Sequence, residues 1–202
     1  MSDDFEVVDS EKIFDGAVIS VRRDTIRMPD GSTADREIVD HPGAVGIVAL
    51  DDDDRVVMVN QYRPALRMRL DELPAGLLDV DGEPALDAAQ RELAEEASVQ
   101  AGEWHVLLDL HTSPGFSDEA IRIYLARGLS DVGRPDGFVV EHEESSMSVT
   151  RVSLAVAVQR VQAGEITNAA AAAGIVAAAL ARASGWQGLR PADAPWPGRP
   201  RR

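Results

Sequence analysis

The sequence predicts an α/β fold of the α+β kind, an α/β core preceded by an antiparallel β appendage over residues 1–40. Three observations predict it. Short Val- and Ile-rich runs lie on both sides of one amphipathic helix, an Asp-Gly turn pairs early runs as a hairpin, and the C-terminal part is Ala-rich and favours helices. With 202 residues, 45% of them hydrophobic, the chain can bury one core and carry a smaller appendage.

The appendage consists of three predicted strands. Residues 5–9 and 17–28 alternate Val or Ile with polar residues, and "MPDGST" at 28–33 carries the Asp-Gly signal of a tight turn. The strand that follows this turn is expected over 36–41.

The core elements follow in order along the chain. Two strands flank the acidic stretch "DDDD", which predicts a second hairpin with a solvated tip. The remaining pattern predicts one central helix, two further strands, two helices and a loose Pro-rich tail. The expected ranges are strands 44–50, 55–62, 104–113 and 120–129, helices 84–97, 153–164 and 167–185, and the tail 186–202.

The composition excludes several classes of binding partner and metal site. A net charge of −15 argues against nucleic acid and anionic membranes, and an anionic substrate would need a local cationic patch or a divalent metal. The chain has no Cys, which excludes disulfides and thiolate metal sites. It has no run of 18 apolar residues and an acidic rather than signal-like start, so a cytoplasmic protein is expected.

The segment "RELAEEASV", 91–99, gathers three carboxylates at one end of the predicted central helix. At about 100° per residue, Glu95 and Glu96 lie roughly 60° and 40° to either side of Glu92, so all three share one face. A solvated acidic face is the ordinary interpretation. However, the helix dipole disfavours negative charge near the C-terminus, and the like-charged pair at 92 and 96 is mildly destabilising. A divalent cation would remove both penalties, and oxygen ligands favour Mg²⁺, with Mn²⁺ as a substitute.

These residues resemble the signature of the Nudix hydrolases, a Gly, five residues, a Glu, seven residues, then Arg-Glu-apolar-x-Glu-Glu-x-Gly-apolar. Gly76, Glu83 and the segment 91–99 match it, with two departures. Six residues separate Gly76 from Glu83, and Ser98 replaces the late Gly, where it would be strained or would make the helix end differently. The resemblance implies an α/β/α sandwich with a mixed sheet, here over residues 41–185.

The resemblance extends over about residues 5–180 and is closest to the actinobacterial ADP-ribose pyrophosphatases. The segments "NQYRPALRMRLDELPAGLLD", 60–79, and "TSPGFSDE", 112–119, are similar to the corresponding segments of that subfamily. Asp71 departs from the pattern, because related sequences often carry Trp before "ELPAG". The resemblance to this subfamily implies an enzyme that cleaves ADP-ribose to AMP and ribose 5-phosphate.

The resemblance also implies a set of metal ligands and a base. Glu92, Glu95 and Glu96 would bind Mg²⁺ together with the carbonyl of Ala75. Arg91 would pair with Glu83 and orient the carboxylate face. The general base would be Glu143 or Glu144 in the acidic segment "EHEE", with His142 as a weaker candidate.

Substrate binding is expected from another set of residues. A planar guanidinium binds phosphate in a bidentate manner, which favours Arg63 over Arg67 and Arg69. By resemblance, Glu72, Gly76 and Ser117 complete the site. The other three histidines are expected to be structural, since their spacing is not a metal motif: His41, His105 and His111.

In the related pyrophosphatases the N-terminal strands are exchanged across a homodimer. The resemblance therefore implies a homodimer here, although the sequence also permits a monomer.

Three alternatives for the function stay open. The substrate could be a nucleotide sugar, NADH or a dinucleoside polyphosphate. The chain could be a catalytically impaired protein that binds ADP-ribose, which the intact signature disfavours. It could also be a plain α/β scaffold with an acidic surface helix.

Overall fold

The computed structural model describes residues 5–133 and 147–199. No helix within these ranges is long and apolar enough to cross a membrane. The strands are β1 Glu6–Asp15, β2 Ser20–Arg27, β3 Thr33–Asp40, β4 Ala44–Ala49, β5 Arg55–Arg63, β6 Met68–Glu72, β7 Ala75–Leu77, β8 Val99–His111, β9 Ala120–Asp131, β10 Ser148–Ser153 and β11 Arg190–Pro191. The helices are α1 Ala85–Ala97, α2 Leu154–Gln162 and α3 Ala169–Ala183.

The first three strands form an antiparallel sheet in the order β1-β2-β3. The turn between β2 and β3 is closed by a hydrogen bond from the Met28 N–H to the Ser32 carbonyl (2.8 Å), as the Asp-Gly signal predicts. Every residue of β1 is exposed, including apolar ones. Near the middle of the sheet, buried Asp24 accepts hydrogen bonds from Ser10 and Arg22.

Two further sheets form the core. A mixed five-stranded sheet has the order β11-β8-β9-β4-β7, in which β4 and β9 are parallel and the other pairs antiparallel. A three-stranded antiparallel sheet has the order β10-β5-β6. All six residues of β4 are buried, so this strand is covered on both faces.

Alternate residues of β4 supply the two hydrophobic clusters of the core. Val48 packs with Ile123 of β9 and with apolar residues of α2 and α3, whereas Ile47 packs with Tyr124 and with the buried face of α1. One helix therefore covers one face of the mixed sheet and two helices cover the other. This is the α/β/α arrangement that the sequence predicted, with the expected N-terminal β sheet beside it.

The predicted hairpin over 44–62 is wrong. β4 and β5 belong to different sheets, and only the single bridge between Leu50 and Val56 connects them in hairpin fashion. The Asp51 carboxylate accepts hydrogen bonds from the N–H groups of Asp53 and Arg55, and this tight turn redirects the chain from one sheet to the other. The acidic tip is thus partly engaged in structure.

The C-terminal tail is packed over residues 186–199, which corrects the prediction of a loose segment. β11 pairs with β8, and the buried Arg122 donates to the carbonyls of Ala194 and Pro195 (2.7 and 3.0 Å). The Arg122 guanidinium also stacks over the ring of Trp196, 4.7 Å from its centroid. Ala192, Ala194 and Trp196 of the tail therefore pack on the α1 side of the mixed sheet, whereas Trp186 and Leu189 pack on the side of α2 and α3.

Candidate active site

Helix α1 carries the carboxylates and is fixed by its apolar face. It begins after Pro84, whose φ of −62° suits the entry to a helix. Its buried residues, Ala88, Ala89 and Leu93, pack on the mixed sheet. The opposite side of the helix therefore presents its carboxylates toward β7 and the loop that precedes the helix.

Ser98 ends this helix in the left-handed conformation, with φ 55° and ψ 38°. Its N–H donates to the carbonyl of Ala94, so a normal C-terminal hydrogen bond forms. Of the two outcomes expected for this substitution, the structure shows the strained one. The helix ends where a Gly would end it, and the carboxylate face keeps its register.

Arg91 connects the carboxylates into one network. It makes a bidentate pair with Glu83 (3.0 and 3.1 Å), and its Nη1 donates to Glu92 (2.7 Å) and Glu95 (3.0 Å). The hydrogen bond to Glu83 is the largest cause that raises the pKa of Arg91 above its ordinary value. The same bond lowers the pKa of the Glu83 carboxyl. The network thus keeps the guanidinium and Glu83 ionised, and the extra residue before Glu83 does not prevent their contact.

Strand β7 lies directly against the carboxylate face. The Ala75 N–H donates to Glu96 Oε2 at 3.0 Å. A Cβ atom built on Gly76 would lie 2.1 Å from Glu92 Oε1, so only Gly leaves room for this carboxylate. The structure therefore brings together four sequence-predicted site residues, two on β7 and two on α1.

The donor set fits a hard divalent cation, since it consists of carboxylate oxygens beside a backbone strand, with a space that a Cβ would fill. In the part of the chain that the structure describes, no three such side chains already converge as a metal cage. Instead, Arg91 bonds Glu92 and Glu95, and Ala75 bonds Glu96. Binding of a cation would therefore exchange protein donors for metal at these oxygens.

Arg63, the expected phosphate contact, is held by Glu72 on the neighbouring strand. Its Nε and Nη2 donate to the two carboxylate oxygens at 2.9 and 2.6 Å. The Glu72 side chain is buried, whereas that of Arg63 is 44% exposed. Glu72 therefore serves as an anchor that fixes a half-exposed guanidinium.

A cavity of about 590 Å³ opens beside β7. Its wall includes Arg63, Glu72, Ala75 and Gly76, which thus lie on one concave surface. The three carboxylates of α1 are not among the described residues that line it, and two of them, Glu92 and Glu96, approach it through their contacts with β7. Leu66, Leu70 and Ile121 make much of the remaining wall apolar, which is typical of small-molecule sites.

The cavity is also lined by polar residues that the sequence did not single out. Thr112 and Glu119 line it, and the Thr112 hydroxyl donates a short hydrogen bond to the Glu119 carboxylate. His41, expected to be structural, also lines it. Ser117 is not among the lining residues, and its hydroxyl accepts the N–H of Glu119 (3.1 Å) inside the loop.

Two sequence-based expectations remain, the departure at Asp71 and the candidate general bases. Asp71, where relatives often carry Trp, pairs with Arg160 of α2 and accepts a hydrogen bond from Asn60 (2.7 Å). A polar bridge to the C-terminal helices thus occupies this position. The candidate bases Glu143 and Glu144, with His142, lie outside the described residues.

Comparison with known proteins agrees with this geometry. Residues 40–165 match the model of the NUDIX domain, and residues 5–39 match that of the nucleoside diphosphate sugar hydrolase N-terminal domain. An ADP-ribose pyrophosphatase of Mycobacterium tuberculosis is 50% identical over 197 residues, which cover 98% of this chain and 93% of the relative. Another, of Bacillus subtilis, is 35% identical over 164 residues, covering 81% and 86%.

A solved structure shares the fold at low sequence identity. The crystal structure of an ADP compounds hydrolase superposes with a TM-score of 0.75 at 20% identity, covering 90% of this chain and 96% of the other. This likeness supports the arrangement of sheets and helices described above.

Proposed function

This chain belongs to the Nudix family, and on that premise we propose that it is a Mg²⁺-dependent pyrophosphohydrolase that splits ADP-ribose into AMP and ribose 5-phosphate. The observation that carries the proposal is the contact between the carboxylate face of α1 and β7. Because β7 also lines a cavity that contains Arg63, it brings the proposed metal ligands to the edge of a site for a phosphate-bearing molecule.

The names of two relatives support the choice of ADP-ribose. The relatives of M. tuberculosis and B. subtilis are named ADP-ribose pyrophosphatases and align over most of this chain. On this ground we favour ADP-ribose over nucleotide sugars, NADH and dinucleoside polyphosphates. The cavity, of about 590 Å³, is within the usual range for sites that bury a small ligand and suits all of these compounds alike.

The residues of this chain have separate roles in the proposed reaction. Arg63, held by Glu72, binds a phosphate of the diphosphate. Glu92, Glu95, Glu96 and the Ala75 carbonyl would hold Mg²⁺. Bound there, the cation would act as a template and a Lewis acid at phosphorus, a role in which Mn²⁺ can substitute.

One positioning role and one catalytic role complete the proposal. Arg91, paired with Glu83, orients Glu92 and Glu95 through its hydrogen bonds. Glu143 or Glu144 takes the proton of the attacking water.

We also propose a homodimer formed by the N-terminal sheet, with exchanged strands. β1 exposes Val7 (55%), Ile13 (48%) and Phe14 (54%) along its length. A sheet with apolar side chains on an open surface and no helix over β1 is typical of an interface. We propose with it that the N-terminal sheet, up to about residue 40, is a unit separate from the catalytic domain, and that the tail begins after residue 185.

A substrate panel tests the proposed activity. The purified protein is incubated with ADP-ribose, NADH, nucleotide sugars and dinucleoside polyphosphates, with Mg²⁺ and with EDTA. We expect Mg²⁺-dependent release of AMP from ADP-ribose at the highest kcat/KM. Faster cleavage of another compound would contradict the substrate, and no metal-dependent cleavage of any would favour an impaired ADP-ribose-binding protein instead.

A further inference from the structure

The last strand of the N-terminal sheet is bonded to the loop over residues 112–119. The Val39 N–H donates to the Phe116 carbonyl (2.7 Å), and the Asp118 N–H donates to the Val39 carbonyl (3.2 Å). The Asp118 carboxylate, in turn, accepts the N–H of His41 at 2.8 Å. Three hydrogen bonds therefore join the exit of β3 to the tip of this loop.

The base of the same loop forms the polar wall of the cavity. Thr112 and Glu119 close the loop by a backbone hydrogen bond (3.4 Å) and by the contact between their side chains. Both residues line the cavity. Their backbone continues the ladder of β8 and β9 beyond the pair of His111 with Ala120, and the loop that joins them is linked to itself and to β3.

His41 completes the junction. Its Nδ1 accepts the N–H of Gly43 at 3.1 Å. The same nitrogen lies 3.8 Å from Oε1 of Glu119. Gly43 permits the arrangement, since its φ of +87° turns the chain from β3 into β4.

We propose that Asp118 is a positioning residue, which fixes the cavity wall formed by Thr112 and Glu119 to the end of the N-terminal sheet and thereby sets the affinity for substrate. The proposal rests on the function proposed above. Asp118 is suited to this role because its carboxylate accepts the His41 N–H just after β3. Among the described contacts, no other side chain of the loop makes a hydrogen bond to the exit of β3. Shortening this side chain leaves the two backbone hydrogen bonds to Val39 in place but removes the one bond to a charged group, so the loop is expected to lose order.

Steady-state kinetics with ADP-ribose and Mg²⁺ compare the parent with Asp118→Ala and Asp118→Asn. We expect Asp118→Ala to raise KM about tenfold, the effect of one hydrogen bond to a charged group, with kcat within about twofold. Asp118→Asn restores KM, because its amide oxygen still accepts the His41 N–H. Asp193→Ala, which removes an exposed carboxylate from the tail, is the control and leaves both parameters unchanged.

Hydrogen exchange measured without substrate provides a second readout. The peptide that spans 112–119 exchanges faster in Asp118→Ala than in the parent, and Asp118→Asn reverses the increase. Should Asp118→Ala fail to fold, Asp118→Glu, which misplaces the carboxylate, is expected to show the same rise in KM. An unchanged KM, a fall in kcat alone, unchanged exchange, or no rescue by Asn would overturn the proposal. A parent that leaves ADP-ribose intact would refute the proposed function, whereas the exchange measurement would still decide the positioning role.

Discussion

At the scale of single residues, the site depends on close contacts between α1 and β7. The sequence predicted the pair of Arg91 with Glu83, and the structure confirms that contact. It could not show that the same guanidinium also bonds Glu92 and Glu95, because angles along a helix do not fix rotamers. Nor did it indicate His41, whose placement depends on contacts with residues far along the chain.

Gly76→Ala separates activity from stability. The new Cβ would lie 2.1–2.3 Å from Cγ, Cδ and Oε1 of Glu92, so this side chain must take another rotamer, and we expect the melting temperature to fall by only about 2–4 °C. The displaced Glu92 carboxylate can no longer bind the proposed metal ion, and turnover is expected to fall about 10- to 100-fold. Gly102→Ala, whose nearest neighbouring atom would be 3.8 Å away, is the matched control for both measurements. Full activity in Gly76→Ala would show that the position of Glu92 is unimportant.

At the scale of elements, periodicity predicted helices well and strand partners poorly. Helix α1 was expected over 84–97 and spans Ala85–Ala97, since its apolar spacing and its ends are local features. The supposed hairpin failed because partner choice is set by distant strands, and β4 pairs with β9. The tail was misjudged because its order depends on Arg122, a residue more than 60 positions away.

Ser98→Gly should stabilise the fold. Ser98 adopts φ 55°. This left-handed conformation is unfavourable for any residue with a Cβ atom and nearly without cost for Gly. After the entropy that Gly adds to the unfolded chain, we expect a gain of about 0.5–1 kcal/mol in urea unfolding. Ser184→Gly, at the end of α3 with φ −88°, gains nothing. Equal effects at both positions would contradict a strained end to α1.

Asp109→Asn tests how the tail is attached. Burial raises the pKa of Asp109, but hydrogen bonds from Arg122 and Arg190 outweigh it and hold the pKa below its ordinary value of 3.8. A depressed carboxyl pKa stabilises the fold fully above the unfolded value and loses that effect as the pH falls through the folded value. Urea unfolding should therefore show a loss of about 2 kcal/mol at neutral pH.

The difference between Asp109→Asn and the parent should shrink as the pH falls below 3.8, and Asp193→Asn should show no comparable loss at any pH. A difference that stays constant through this window would mean that the charge of Asp109 does not hold the tail.

At the scale of the whole molecule, the predicted class was correct because the buried runs and the signature segment constrain the architecture strongly. The two hydrophobic clusters on opposite faces of β4 follow from alternation along a doubly buried strand. The separation into three sheets was not predictable from the runs alone, because it requires pairings across much of the chain.

The proposed dimer predicts a charge-sensitive surface on β1. The double variant Val7→Asp and Ile13→Asp places two charges among its exposed apolar residues and should shift the mass measured by light scattering from two chains to one. Leu180→Asp, at a position 68% exposed on α3, should remain dimeric. A parent protein that is already monomeric would contradict the dimer directly.

The most direct test of the central claim is the turnover of ADP-ribose by the parent and by Glu96→Gln, each with Mg²⁺ and with EDTA. The substitution keeps the shape of a side chain that accepts the Ala75 N–H and removes the charge that a cation requires. We expect kcat to fall by about a hundredfold or more, with an unchanged melting temperature, and EDTA to abolish cleavage by the parent. A folded Glu96→Gln protein that cleaves ADP-ribose as fast as the parent would contradict the proposed metal site.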